Sequence, residues 1–337
     1  MSAASEGAVS HDAGPQEHRP GTGMVRSLGW IIILLTFAWV INAWLTVWWD
    51  WPGVGLLFDG EGSVALGSIQ FLLFALAIVA PLVLTKMTAH RGLRQDAMTM
   101  AGISNFIIRF AFWSVLFVGL ADAVISFLRV EGILAVFVGE QITSDLGRSS
   151  FRGTMVHMPL MAVALIIAFR SKGLGFTWLA LMVVIAELTI VISRFVFSYE
   201  QALQGDLVRF WYAALFLFAS AYTLFDDGHV RVDVVYAGLA PETKGIINAV
   251  GAVLLGVTLC WTILFYGMWD QSSTINAPIL AYEVSQAGFG LYVKYWMAGF
   301  LAIFAVSMTV QFMSMMLEGI ADFWGLPGKR ETVVTGH

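Results

Sequence analysis

Ionisable side chains inside long apolar runs are the residues of this chain that could do chemistry. Glu187 falls near the middle of one run and Asp122 lies inside another, while Arg194 closes the run that holds Glu187. Placing a charge in hydrocarbon costs roughly 3 kcal/mol on insertion scales, so a carboxyl group kept there either pairs across helices or carries a proton or cation. Arg194 follows Glu187 by seven residues, on nearly the same helix face but roughly 10 Å along the axis, too far for direct pairing. Glu187 is therefore expected to meet a donor on another helix or on a partner chain, or to stay protonated. An interhelical structural role is preferred over ion carriage. Asp122 is a borderline case because its short side chain reaches less far. Arg109, His157, Arg194, Arg209 and Lys294 lie within about two turns of the end of a run, from where they can reach the headgroup region.

A second group of polar residues sits between two runs, in the loop Asp226, Asp227, Gly228, His229, Val230, Arg231, Val232 and Asp233. Gly228 can take the left-handed conformation that ends a helix. Val232, Val234, Val235 and Leu239 could anchor a short interfacial helix, and Pro241 suits the first turn of the next one. His229, Arg231 and Asp233 either fix the loop at a membrane face or hold the face of a partner subunit. They supply no nucleophile and no pocket, so catalysis is not expected.

The elements that must position these residues are membrane helices. The chain has 337 residues, 58% of them hydrophobic and only 12% charged, with a mean hydropathy of +0.79. That is too apolar for a soluble domain of this length. At roughly 20 residues per crossing, eight spans are predicted, near 27–49, 64–85, 105–128, 154–169, 176–197, 207–225, 246–268 and 291–317. An all-α integral membrane protein follows.

With eight spans, Arg19, Arg26, Lys86, Arg91, Arg94, Arg170, Lys172, Arg231, Lys244, Lys329 and Arg330 fall on one side, which predicts cytoplasmic termini. The exception is 129–153, which holds Arg129, Arg148 and Arg152 on the other side. Trp44, Trp48, Trp49 and Trp51 read as an aromatic belt at the outer end of the first span. Cys260 is the only cysteine, so an intrachain disulfide and a multi-cysteine metal site are both excluded. The first run is too long for a signal-peptide core and lacks a clear cleavage site.

From about Ala180 to Trp324 the chain resembles the small membrane subunit of tripartite ATP-independent periplasmic (TRAP) transporters, the DctQ family. The resemblance is carried by the aromatic and small-residue run Leu207 to Phe225, by the literal Gly-His-Val-Arg-Val-Asp from Gly228 to Asp233, and more weakly by Arg194-Phe195-Val196-Phe197. It implies a non-catalytic scaffold in a bacterial inner membrane, partnered by a large TRAP membrane subunit and a periplasmic substrate-binding protein in sodium-coupled uptake of an organic acid. Gly228, His229, Arg231 and Asp233 are the candidate partner-interface residues, with fixing of the loop as the alternative. Family members of this type have four spans, so the first four here are a departure. The expected organisation is a polar cytoplasmic N-terminus (1–26), a four-span extension (27–175), a DctQ-like four-span domain (176–324) and a cytoplasmic tail (325–337).

The alternative is a self-sufficient secondary transporter, which would need a midplane site between broken helices; here only Pro81 and Pro159 interrupt spans. No nucleotide-binding Gly-x-x-x-x-Gly-Lys-Ser/Thr run is present. Only His157 lies in a span, against the facing histidines that a haem-binding bundle needs. No cofactor and no nucleic-acid partner are expected, and membrane lipids are.

Overall fold

The protein is described from a computed structural model over residues 19–54, 63–171, 176–225, 236, 238–284 and 290–328. Among these residues there is no strand, and eight helices are long and apolar enough to cross a membrane. They are α1 (Thr22–Trp49), α2 (Val64–Met87), α3 (Leu93–Val130), α5 (Ser149–Arg170), α6 (Phe176–Val196), α7 (Ala202–Phe225), α8 (Pro241–Met268) and α10 (Lys294–Phe323). The short helices α4 (Leu134–Asp145) and α9 (Asn276–Leu280) lie in the connections before α5 and α10. We call the end where α1 begins and α10 stops the proximal end, and the opposite one distal.

Each predicted run is helical, and the largest difference is at α3. It starts at Leu93 rather than near 105, because its first turns carry Arg94 and Asp96 and so escape a hydropathy reading. Those turns are helical because one face is apolar: Leu93, Ala97 and Met100 are buried against Met313, Met316 and Leu317 of α10. A 38-residue helix is roughly 57 Å long, well beyond the hydrocarbon thickness, so α3 projects past the membrane. Pro241 opens α8 at its first position, as expected.

The long helices α3 and α10 form the centre of the bundle and make its most extensive contact. Two hydroxyl groups stitch them, Ser104 Oγ donating to the Ser307 carbonyl at 3.0 Å and Ser314 Oγ to the Ala97 carbonyl at 2.8 Å. Around this pair α7 packs on both, α5 on α3, α8 on α10, and α1 on α10. Small residues permit close approach. A Cβ on Gly245 of α8 would lie 2.5 Å from the carbonyl oxygen of Gly319 on α10, so the two backbones touch there. Ala164 and Ala168 are fully buried on α5, and Gly256 faces the Phe312 ring.

Two helices are peripheral. α2 rests on α1, tied by Gln70, whose amide donates to Asn42 Oδ1 and Thr46 Oγ1 at 3.0 Å each, and by a 2.6 Å bond between Ser27 and Thr85. α6 rests chiefly on α7. Trp44, Trp48 and Trp49 are exposed at the distal end of α1, where an aromatic belt would lie.

Candidate functional site

The chemistry-bearing side chains gather in two clusters, one toward each end of the bundle. The distal cluster is built around Asp122 of α3. Its Oδ1 accepts from Arg152 Nη1 at 2.9 Å and from His157 Nε2 at 3.1 Å, and its Oδ2 accepts from the Tyr292 backbone N–H at 2.6 Å. All three ionisable side chains are fully excluded from solvent. Arg152 also donates to Ser126 Oγ and to the Leu146 carbonyl. Its Nη2 has no hydrogen-bond acceptor among the described residues, but the guanidinium lies 4.0 Å from the centroid of the Tyr292 ring, a cation–π contact that takes the place of one.

His157 is fixed in one tautomer. The indole of Trp296, which can only donate, points at Nδ1 at 3.2 Å, and the Tyr295 hydroxyl lies 2.6 Å from the same atom. Nδ1 is therefore the acceptor and Nε2 carries the proton given to Asp122. Asp122 and Arg152 carry opposite charges and pair directly within the cluster.

Local backbone geometry makes this cluster possible. Gly153–His157 at the start of α5 is a π-helical turn. In a regular α-helix, residues five apart point about 140° away from each other; the wider π turn swings Arg152 and His157 toward the same carboxylate. Pro159 follows two residues later and lacks the N–H that a regular ladder would need. A Cβ on Gly153 would meet the Tyr282 ring at 2.6 Å, so only glycine lets the turn seat against that ring.

The proximal cluster centres on Asp96. Its Oδ2 accepts from Arg26 Nε at 2.7 Å and Trp30 Nε1 at 3.0 Å, and its Oδ1 from Arg91 Nε at 2.8 Å. Arg26 is itself fully buried and also donates to the backbone and hydroxyl oxygens of Thr88. Beside it, Arg94 pairs with Glu318 and, at 2.9 Å, with Asp322, and donates to the Leu326 and Pro327 carbonyls that follow α10.

The residues singled out from the sequence are distributed differently. Asp122 belongs to the distal cluster. Arg194 points outward and pairs with Glu200 at 2.6 Å. Glu187, on α6, is exposed and has no hydrogen bond or ion pair among the described residues. Arg209 and Lys294 are exposed and pair with Asp206 and Glu283. His157, expected to reach a headgroup region, instead faces inward, because the π turn directs it at Asp122. Gly228, His229, Arg231 and Asp233 lie outside the described residues.

Residues 180–322 match the family model DctQ, described as tripartite ATP-independent periplasmic transporters, DctQ component. This stretch is a DctQ domain. It covers α7 to α9 and all but the margins of α6 and α10. The chain matches no curated protein and no solved structure. The preceding spans form an extension to the DctQ domain, and both clusters straddle the boundary. On the distal side Asp122, Arg152 and His157 of the extension meet Tyr292, Tyr295 and Trp296 of the DctQ domain. On the proximal side Arg94 of the extension meets Glu318 and Asp322, at the domain's end. The sequence carried one signal of this: Arg152 and Arg129 break the sidedness of positive charge, and both are tied inward, Arg152 to Asp122 and Arg129 to the Tyr292 hydroxyl at 2.6 Å.

Proposed function

We propose that the chain is the scaffold subunit of a TRAP transporter, holding a large membrane subunit that carries the substrate and sodium sites for uptake of an organic acid delivered by a periplasmic binding protein. The match of residues 180–322 to the DctQ component of these transporters supports this reading.

The observation that carries the finer reading is Glu187. α6 is about as long as a bilayer is thick, and Glu187 lies roughly 16 Å from its start, near the middle. Its carboxyl group points away from the bundle, on a face with exposed Val184, Leu188 and Val191. In lipid alone that group would face hydrocarbon with no donor, an arrangement that membrane proteins avoid. A large membrane subunit that covers α6 and brings a donor resolves it. Inside the bundle Asp122 pairs with Arg152, His157 bonds to the same carboxylate and Asp96 pairs with Arg26, so these buried groups are committed to one another, which favours the scaffold over a self-sufficient transporter.

The excess of Lys and Arg near the proximal end supports a cytoplasmic placement of that end, in a bacterial inner membrane. The organisation that fits is the one expected from the sequence: a polar N-terminus over 1–26, an extension over 27–175, the DctQ-like part over 176–324 and a cytoplasmic tail over 325–337. The test is purification of the tagged chain from its native membranes in mild detergent, with mass spectrometry of what accompanies it. A stoichiometric larger membrane protein is expected, in reduced yield for Glu187→Gln. Recovery of the chain alone, active in proteoliposomes and inactivated by Glu187→Gln, would replace the scaffold with a transporter.

A further inference from the structure

From Ser27 and Thr85 toward the proximal end, α1 and α2 border a cavity of about 710 Å3. Its walls are the start of α1, with Gly21 to Ser27, and the end of α2 with the turn after it, from Leu82 to His90. Two kinds of surface meet there. Arg19, Lys86 and His90 line it, all exposed and without an ion pair among the described residues, whereas the neighbouring Arg26 is committed to Asp96 and Thr88. Met24 and Leu82 line it as well, and both are exposed. One helical turn deeper on the same faces, Leu28 of α1 and Ile78 of α2 are also exposed and continue the apolar strip toward the bilayer interior.

We infer that this cavity binds an anionic glycerophospholipid, its phosphate and headgroup against Arg19, Lys86 and His90 and an acyl chain along Met24, Leu28, Leu82 and Ile78. The order of the walls selects this class. Basic groups above an aliphatic groove fit a molecule with an anion at one end and hydrocarbon at the other, and uncompensated Lys and Arg at a membrane surface attract anionic lipid. The positive end of α1, which starts at the cavity, adds to the field. Gly23 leaves room, since a Cβ there would meet nothing within 4 Å. The bound lipid would fasten α2 more firmly to α1, the helix that chiefly holds it. The site lies in the extension and is independent of the scaffold reading.

The experiment is native mass spectrometry of the full chain in mild detergent, titrated with phosphatidylglycerol and, separately, phosphatidylcholine. Phosphatidylglycerol is expected to bind roughly tenfold more tightly or better, given two or three basic groups. The variant Arg19→Gln/Lys86→Gln/His90→Gln should fall to the phosphatidylcholine level with an unchanged melting temperature, and the charge-conserving Arg19→Lys/Lys86→Arg should bind as the parent does. Glycerol phosphate, the headgroup without chains, should not displace the lipid. Equal binding of the two lipids, undiminished phosphatidylglycerol binding by the triple variant, or displacement by glycerol phosphate would each overturn the assignment, the last by making this a site for a free anion.

Discussion

Asp122 and Arg152 come from two different helices and meet at 2.9 Å with both side chains fully sealed from solvent. The pair joins α3 to α5 within the extension, and the third ligand of the carboxylate, the Tyr292 N–H, brings in the DctQ domain. Such a pair is costly to leave half-made, since removal of one partner strands the other charge in a low-dielectric interior.

Asp122→Ala and Arg152→Ala should therefore each destabilise the protein by about 3–5 kcal/mol. The two losses should not add, because each variant already breaks the same contact. Thermal melts of the purified single and double variants check this. Additive losses would mean that the two side chains act separately.

Gly153→Val should be as damaging as loss of the ion pair, by a different route. Its side chain would enter the Tyr282 ring and push the π turn away from Asp122. Gly102→Ala on α3, where a Cβ meets nothing within 4 Å, is the matched control and should leave the melting temperature unchanged or raise it slightly. Similar melts for both variants would show that the turn is not tightly seated.

Gly245→Leu should separate α8 from α10 at their closest approach, since Gly319 offers a backbone carbonyl rather than a side chain that could move. A loss of about 1–3 kcal/mol is expected from overpacking. Gly251→Leu, also in the first part of α8 but facing open space, should cost much less.

Arg231→Glu and Asp233→Arg probe the loop that carries the family motif. Each should lower the yield of the complex with the proposed large membrane subunit without creating a new ion dependence of transport. Parental yield and transport in both variants would remove these residues from the partner interface. Arg94→Ala serves as the comparison, because its loss would weaken the joint between extension and DctQ domain through Glu318 and Asp322, and so lower the melting temperature of the chain even before assembly.

Composition and the spacing of apolar runs by themselves determined the eight helices that, among the described residues, are long and apolar enough to cross a membrane, because a segment of about 20 apolar residues has no stable alternative to spanning. The DctQ domain was legible for a related reason, since the loop motif and the aromatic helix before it are contiguous in the chain. Only the tertiary structure decided which polar residues meet. Asp122, Arg152 and Tyr292 are separated by 30 and 140 residues in the chain, and apolar helices carry almost no information about which faces touch. His157 was read as reaching a headgroup region from its position alone, and the π turn that sends it inward follows from a glycine, a proline and the ring of Tyr282 acting together. The same holds for Glu187. Its place at mid-helix was written in the sequence, but whether it faces the bundle or looks outward depends on how α6 rolls against α7, and that rotation is set by packing.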